Sequence, residues 1–109
     1  MFIKAQAYLT NFSGRVYRDS ISFEKYRLKK IQISISGATV SLQQGQKIMQ
    51  TTTTDKKGNY SFKSVPSGAY DVLITKANYK STWQKIMLKN SLVNKADFCL
   101  SLLDWPMYQ

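Results

Sequence analysis

Basic and aromatic side chains alternate in the segment FEKYRLKK at residues 23–30. Cations beside aromatic rings suit phosphate contact combined with stacking on single-stranded nucleic acid. No recognised nucleic-acid motif accompanies the segment, which favours a solvated loop whose aromatic residues cap the fold over specific nucleic-acid recognition. The segment is still the best candidate for a contact site, and its members are Phe23, Lys25, Tyr26, Arg27, Lys29 and Lys30.

A second candidate surface lies in the segment TWQKIML at residues 82–88. If Ile86 and Leu88 face the core, Trp83 and Met87 form an exposed apolar strip bordered by lysines such as Lys85, which suits a protein interface. If the register shifts by one residue, Trp83 belongs to the core. Both alternatives stay open at this point. The remaining candidate contacts are aromatic: Tyr79, Trp105 and Tyr108.

Catalytic and metal-binding patterns are missing from the sequence. It contains no histidine, which removes His-activated serine or cysteine nucleophiles and the common zinc sites. The six acidic residues are dispersed. Calcium binding at Asp55 is disfavoured because Lys56 and Lys57 would repel the ion. We therefore predict no catalytic residue, no metal site and no cofactor.

The charge balance is strongly basic, with 16 Lys and Arg against 6 Asp and Glu. A net charge of +10 raises the encounter rate with any polyanion, including nucleic acid, anionic lipid, acidic glycan or an acidic protein face. Lysines scattered over strands also keep them soluble and block edge-to-edge pairing. Charge alone does not decide between these two roles.

The single cysteine excludes an internal disulfide, and its apolar neighbours predict that Cys99 is a buried thiol. No apolar run has the length of a secretory signal or a membrane-spanning helix. The sequence assigns no compartment, and a virion or an extracellular assembly is compatible with it.

Alternation of apolar and polar residues with a period of two dominates the chain, as in Ala38, Val40 and Leu42. Turn residues separate these runs: in DKKG at 55–58 the aspartate can bond its own backbone and Gly58 can take a left-handed conformation, and VPSG at 65–68 acts similarly. Short strands between such turns predict an all-β sandwich. The predicted strands are 3–9, 12–18, 31–42 with a break near 36–37, 47–53, 59–63, 69–76, 82–89 and 95–102.

Two segments fall outside this alternation. Residues 20–30 fit either a strand or a short helical turn, and we expect a protruding insertion there. The tail DWPMYQ carries large apolar side chains that are costly to leave in water, so we expect it to be ordered or bound to a partner.

Four segments resemble the carboxypeptidase regulatory-like domain: GRVYRD at 14–19, ISGATVSL at 35–42, TTTDKKGNYSFKSVPSGAYDVLITKANYKS at 52–81 and QKIMLKN at 84–90. The TDxxGxYxF and PxGxY patterns are shared with related sandwiches such as the collagen-adhesin B-type repeat. The resemblance implies a seven-stranded antiparallel Greek-key β-sandwich of the transthyretin-like (prealbumin-like) type without a catalytic centre. Such a module is usually an accessory to peptidases, outer-membrane receptors or surface proteins.

The sequence departs from the family pattern at two places. The link from GRVYRD to GATV is longer than usual, and Asn78-Tyr79 replaces the usual Gly-Tyr; asparagine tolerates a positive φ best among non-glycine residues. We therefore expect one domain over 1–109 with a family-like core at 12–102, an N-terminal extra strand, an insertion at 20–36 and a C-terminal extension at 103–109.

The favoured function is a non-enzymatic structural or adaptor module that contacts other protein subunits in a larger assembly, such as a phage particle or an injection-type machine. One alternative is a surface module that binds carbohydrate or an anionic polymer. Another is an accessory domain of an enzyme.

Overall fold

The computed structural model of the chain describes residues 8–91 and 93–103, in which every regular element is a β-strand. Two sheets pack face to face, which confirms the predicted all-β sandwich. The strands in chain order are β1 (Leu9–Glu24), β2 (Arg27–Ser34), β3 (Thr39–Gln44), β4 (Lys47–Thr53), β5 (Asn59–Pro66), β6 (Gly68–Thr75), β7 (Thr82–Leu88), β8 (Val93–Lys95) and β9 (Phe98–Cys99).

The first sheet is built around the long strand β1. Val16 N–H donates to Gly58 O and Val16 O accepts from Ile35 N–H, and the N–H and C=O of one strand residue point to the same side. The antiparallel strands β5 and β2 therefore follow one another along one edge of β1. The short parallel strands β8 and β9 lie along the other edge, where Ser13 O and Tyr17 O accept hydrogen bonds from Ala96 and Leu100.

The second sheet has the order β4-β3-β6-β7 and is antiparallel throughout. Alternate residues of β3 and β6, such as Val40, Leu42, Val72 and Ile74, are fully buried against the first sheet. The first sheet contributes an aromatic cluster to the same core, whose members are Phe12, Tyr60, Phe62 and Phe98. The period-two alternation thus placed the core correctly.

The turn predictions are confirmed. The Asp55 carboxylate accepts hydrogen bonds from the backbone N–H of Lys57 and Asn59 at 2.8 and 2.9 Å. Gly58 has a φ of 79°, and a Cβ at this position would overlap Val16 O. Asn78 takes the expected positive φ, at 74°.

The strand count differs from the seven that the family resemblance implied, because nine strands occur within the described residues. One predicted strand, 95–102, is replaced by β8 and β9. The chain between them is held by other bonds: Ala96 N–H donates to Ser13 O, and the Asp97 carboxylate accepts from Arg15 N–H at 3.0 Å. The Asp97 carboxylate therefore takes the place of a backbone carbonyl as the acceptor for Arg15 N–H. The ladder of backbone hydrogen bonds between β1 and this segment is interrupted there.

The insertion is also more regular than predicted. Residues 20–30 extend β1 and begin β2, so the segment is a β-hairpin rather than a loop or helical turn. Residues 3–7 of the predicted strand 3–9 lie outside the described residues. Its last residue, Leu9, is the first residue of β1. The C-terminal extension lies outside them from residue 104 onwards.

The prediction of a buried Cys99 is wrong. Phe98 and Leu100 point into the core, so the residue between them points outward, and the Cys99 thiol is exposed. Cys99 pairs with Tyr17 of β1, whose side chain also lies on the outer side of the sheet. Apolar sequence neighbours indicated burial, but in a strand they mark the opposite face.

Candidate functional site: a projecting hairpin arm

The β1–β2 hairpin extends beyond the sandwich as a two-stranded ribbon. Its register runs from Tyr17 opposite Ser34 to Glu24 opposite Arg27, which at about 3.3 Å per residue spans roughly 25 Å. We call residues 18–33 the arm and the two-sheet sandwich the body. On the other side of β1, the last pairing is that of Tyr17 with Cys99 of β9, so within the described residues the arm has strands on neither of its outer edges.

A two-residue turn closes the arm. Lys25 and Tyr26 have φ angles of 50° and 66°, the pattern of a type I′ turn, for which Asn-Gly is the usual sequence. Left-handed backbone costs a non-glycine residue roughly 1–2 kcal/mol. The turn therefore holds Lys25 and Tyr26 in a backbone conformation that is unfavourable for both residues. Tyr26 is 96% exposed.

The two faces of the arm differ in polarity. Residues directly opposite each other in an antiparallel pair share a face, so Phe23 and Leu28 lie together, with Ile21 next to them. These three side chains are 67–69% exposed and form what we call the apolar face of the arm. The opposite face is polar and charged towards the tip, with Ser20, Ser22, Glu24, Arg27 and Lys29, and carries the half-buried Ile31 and Ile33 towards the body.

The cations of the arm lie beside this apolar face, at the turn and on the opposite face. Lys30 lies opposite Ile21 and forms an ion pair with Asp19, with 3.4 Å between Nζ and Oδ2. Because the two side chains are 73% and 41% exposed, this pair adds little stability. In the described part of the chain no ion pair involves Lys25, Arg27 or Lys29, which leaves the tip of the arm basic.

Arg15 fixes the base of the arm. Its guanidinium donates to Ser34 Oγ at 2.8 Å and to Gln32 Oε1 at 3.1 Å, and it lies 5.6 Å from the ring centroid of Tyr17. Its backbone N–H is bound by Asp97. The Arg15 side chain thus joins β1 to β2 at the base of the arm, and its backbone N–H joins this base to the segment between β8 and β9, a role that sequence analysis did not assign to Arg15. Its position in the GRVYRD segment was the only available signal.

The outer face of the four-stranded sheet is the second candidate surface. Leu88 is buried, whereas Trp83 and Met87 are 54% and 63% exposed, so the first of the two predicted registers is the one observed. Trp83 lies opposite Leu73, and Lys85 lies opposite Asp71. This surface is separate from the arm, which belongs to the other sheet.

The remaining candidates are placed differently. Tyr79 packs against the core and bridges to Leu102, so it is mainly structural. Trp105 and Tyr108 lie outside the described residues. The structure therefore brings the six residues of 23–30 together on the arm and separates them from Trp83, Lys85 and Met87.

Titratable groups in the body have structural roles. Burial, with a smaller contribution from the Asp97 charge, raises the pKa of Tyr60, whose hydroxyl donates to Ala96 O at 2.5 Å. Burial also raises the pKa of Tyr70, which donates to Pro66 O. Both hydroxyls stay protonated and connect neighbouring segments. Among residues 8–91 and 93–103, no group of three or more acidic or cysteine side chains could hold a metal ion.

This arrangement defines a class of protein: a β-sandwich module with a projecting amphipathic arm. The sequence profile of the carboxypeptidase regulatory-like domain matches residues 28–101. The chain belongs to that family, as its sequence motifs indicated. The match begins within β2, so the β1 strand of the arm lies before it.

Similar proteins agree with this fold. A chain of a type II cohesin-X-dockerin complex from Acetivibrio cellulolyticus aligns with a TM-score of 0.56 and 25% identity over 84% of this chain and 56% of that chain. A "putative carbohydrate binding protein" from Pseudomonas aeruginosa aligns with a TM-score of 0.56 and 12% identity over 87% of this chain and 90% of that one. This second likeness concerns the fold alone.

In sequence, Colossin-A from Dictyostelium discoideum is 40% identical over 45 residues, which is 41% of this chain and 0% of Colossin-A to the nearest per cent. The chain thus corresponds to a very small part of that protein. In the described residues, no helix is long and apolar enough to cross a membrane.

Proposed function

We propose that the protein is a structural or adaptor module that makes protein-protein contacts in a larger assembly through its arm. The observation that carries this proposal is the apolar face of the arm. Ile21, Phe23 and Leu28 are each about two-thirds exposed on a ribbon that the body does not cover. Isolated two-stranded ribbons are marginally stable in water, and contiguous exposed apolar side chains mark interaction sites.

The neighbours and the family support a module of this kind. The Acetivibrio cellulolyticus chain is part of a protein complex, and the described residues contain no metal cluster or histidine that could serve catalysis. As an example of such an assembly we propose a phage particle or an injection-type machine, in which the module would serve as a decoration or connector.

Site-specific photocrosslinking in the native source tests this proposal. A photoreactive phenylalanine analogue replaces Phe23 on the apolar face, and the matched control carries it at Lys56, an exposed turn residue in the body. We expect discrete protein adducts from position 23 and few from position 56. Equal labelling from both positions, or no protein adduct at position 23, would contradict the proposal.

A specific observation also favours a second function, the binding of carbohydrate. Trp83 is 54% exposed on a sheet face, and the neighbouring Lys85 and Asp71 offer a hydrogen-bond donor and acceptor beside its ring. Sugar rings stack on aromatic faces, and stacking is nearly independent of salt, whereas binding driven by charge weakens steeply as salt rises.

A glycan and heparin panel at two salt concentrations separates these modes. Stacking predicts binding that persists in high salt and disappears in Trp83→Ala, with Tyr26→Ala as a control on the arm. Binding that vanishes in high salt and survives Trp83→Ala would assign the ligand to the basic surface instead. If no glycan and no heparin binds, both stacking on Trp83 and charge-driven binding to the basic surface are contradicted.

A further inference from the structure

The backbone of β1 is open along one edge of the arm. Val16 O points towards β2, where it accepts from Ile35, whereas Tyr17 O points the other way, where it accepts from Leu100. Because these directions alternate along a strand, Asp19, Ile21 and Phe23 direct their N–H and C=O groups away from β2. In the described residues no strand pairs with β1 on that side beyond Tyr17. We call the backbone of Asp19–Phe23 the open edge.

The open edge lacks the features that protect exposed strands. Natural edges are blunted by lysine, proline, bulges or covering loops. The outer edge of β2 follows this rule, with Arg27, Lys29 and Lys30 in four residues. The open edge, by contrast, reads Asp-Ser-Ile-Ser-Phe and contains neither lysine nor proline. Of the two edges of the arm, only that of β1 is suited to accept another strand.

The open edge and the apolar face share Ile21 and Phe23. A lipid surface could cover these side chains, but it would leave the neighbouring N–H and C=O groups without partners in an apolar medium, at a cost of several kcal/mol per group. An added protein strand satisfies the backbone groups and covers the side chains together. The coincidence of the two features on the same residues therefore favours a strand as the occupant.

We propose that this strand is the open edge of a second copy of the chain, so that two arms pair antiparallel about a two-fold axis at Ile21. This inference rests on the proposed function and names its partner. In this register Ile21 of one copy lies opposite Ile21 of the other, and Asp19 of each copy lies opposite Phe23 of the other. Two-fold pairing uses the same surface patch on both copies and places the apolar faces of both arms on one side of a continuous four-stranded sheet.

Charge complementarity selects this register and this partner. Arg18 of each copy lies opposite Glu24 of the other, which creates two ion pairs. Moving the register by two residues in one direction would require backbone groups of Tyr17 that Leu100 already uses. Moving it in the other direction places Glu24 opposite Ser20 and loses both ion pairs. The tip of one arm ends beside Tyr17 of the other copy, where β9 ends, so the two bodies lie at opposite ends of the paired arms.

Charge reversal tests the pairing with the full chain. Sedimentation is measured for the native chain, Arg18→Glu, Glu24→Arg and the double variant, with circular dichroism to show that each folds. Since like charges placed opposite each other cost several kcal/mol, we expect each single variant to weaken dimerisation at least about tenfold, while the double variant restores it. A monomeric native chain at about millimolar concentration, or a double variant as weak as the singles, would overturn the inference.

Disulfide mapping tests the register independently. Ser20 and Ser22 face each other across the proposed axis as a non-hydrogen-bonded pair, whose Cα separation of about 4.5 Å suits a disulfide. With the exposed Cys99 replaced by serine, a mixture of Ser20→Cys and Ser22→Cys chains should crosslink under mild oxidation much faster than either variant alone. Equal or faster crosslinking of a single variant would rule out this register.

These outcomes are distinct from failure of the proposed function. A monomeric chain that still gives adducts with other proteins from position 23 in the native source would overturn only the pairing of two copies. A chain without protein adducts at that position and without dimers would overturn both proposals.

Discussion

The body and the arm are made of the same kind of strand but are stabilised differently. In the body, alternate residues such as Leu42 and Val72 are completely buried between two sheets. In the arm, Ile21, Phe23 and Leu28 are exposed, and the ribbon is held by its own backbone pairing and by Arg15 at its base. The core of the body is therefore covered by its own two sheets, whereas no other part of the described chain covers the apolar face of the arm.

The turns show the same difference. The Asp55–Gly58 turn in the body combines a carboxylate that bonds two backbone amides with a glycine at positive φ. The turn of the arm has Lys25 and Tyr26 at positive φ instead. The turn of the arm therefore lacks the local stabilisation that the Asp55–Gly58 turn has.

One substitution made in both regions gives the largest expected difference. Leu42→Ala removes a completely buried side chain and should lower the free energy of unfolding by about 2–5 kcal/mol. Leu28→Ala removes a side chain that is 69% exposed and should change it by less than about 0.5 kcal/mol. Urea denaturation at low protein concentration measures both values. Similar losses for the two variants would mean that the arm is part of the folding core.

The sequence was sufficient for the body because burial there follows a strict alternation. Ala38, Val40 and Leu42 were placed on one apolar face and are all completely buried, and the Asp55 and Asn78 turns were predicted by their residue types. The error at Cys99 came from setting the alternation aside: its apolar neighbours were taken as a sign of burial, although they place it on the opposite face.

The arm could not be predicted in the same way. Ile21 and Phe23 alternate with serines, but the turn that follows has neither glycine nor asparagine, so the usual signal of a hairpin was missing. The choice between the two registers of Trp83 likewise needed the position of Leu88 in the core. Candidate residues at 23–30 were correctly grouped by sequence proximity, but their role in contact stays a prediction.

A smaller effect is expected from the buried tyrosine hydroxyls of the body. Tyr60→Phe removes the hydrogen bond to Ala96 O and should lower the free energy of unfolding by about 1 kcal/mol at neutral pH. Because burial raises the pKa of Tyr60 in the folded state, its stabilising contribution is full below the unfolded pKa of about 10 and decreases as pH rises above it.

The pH dependence provides the measurement. Denaturation of the native chain at pH 7 and at pH 10.5–11 should show a loss of stability that is smaller in Tyr60→Phe. Tyr26→Phe on the arm, where the ring is 96% exposed, is the matched control and should leave both values unchanged. An unchanged alkaline loss in Tyr60→Phe would show that this hydroxyl does not couple ionisation to folding.

The most local effect concerns the turn of the arm. Replacing Lys25-Tyr26 by Asn-Gly supplies the usual type I′ residues and should stabilise the arm by about 1 kcal/mol. Amide hydrogen exchange at Ser22 and Lys29, which pair within the arm, should then slow by about fivefold.

Asn78→Gly is the control in the body, where asparagine already tolerates its φ of 74° and a smaller gain is expected. Unchanged exchange at Ser22 and Lys29 would mean that the turn does not limit the stability of the arm. If slower exchange were accompanied by weaker self-association, the native turn would contribute to contact through the side chains of Lys25 and Tyr26 rather than only by closing the ribbon.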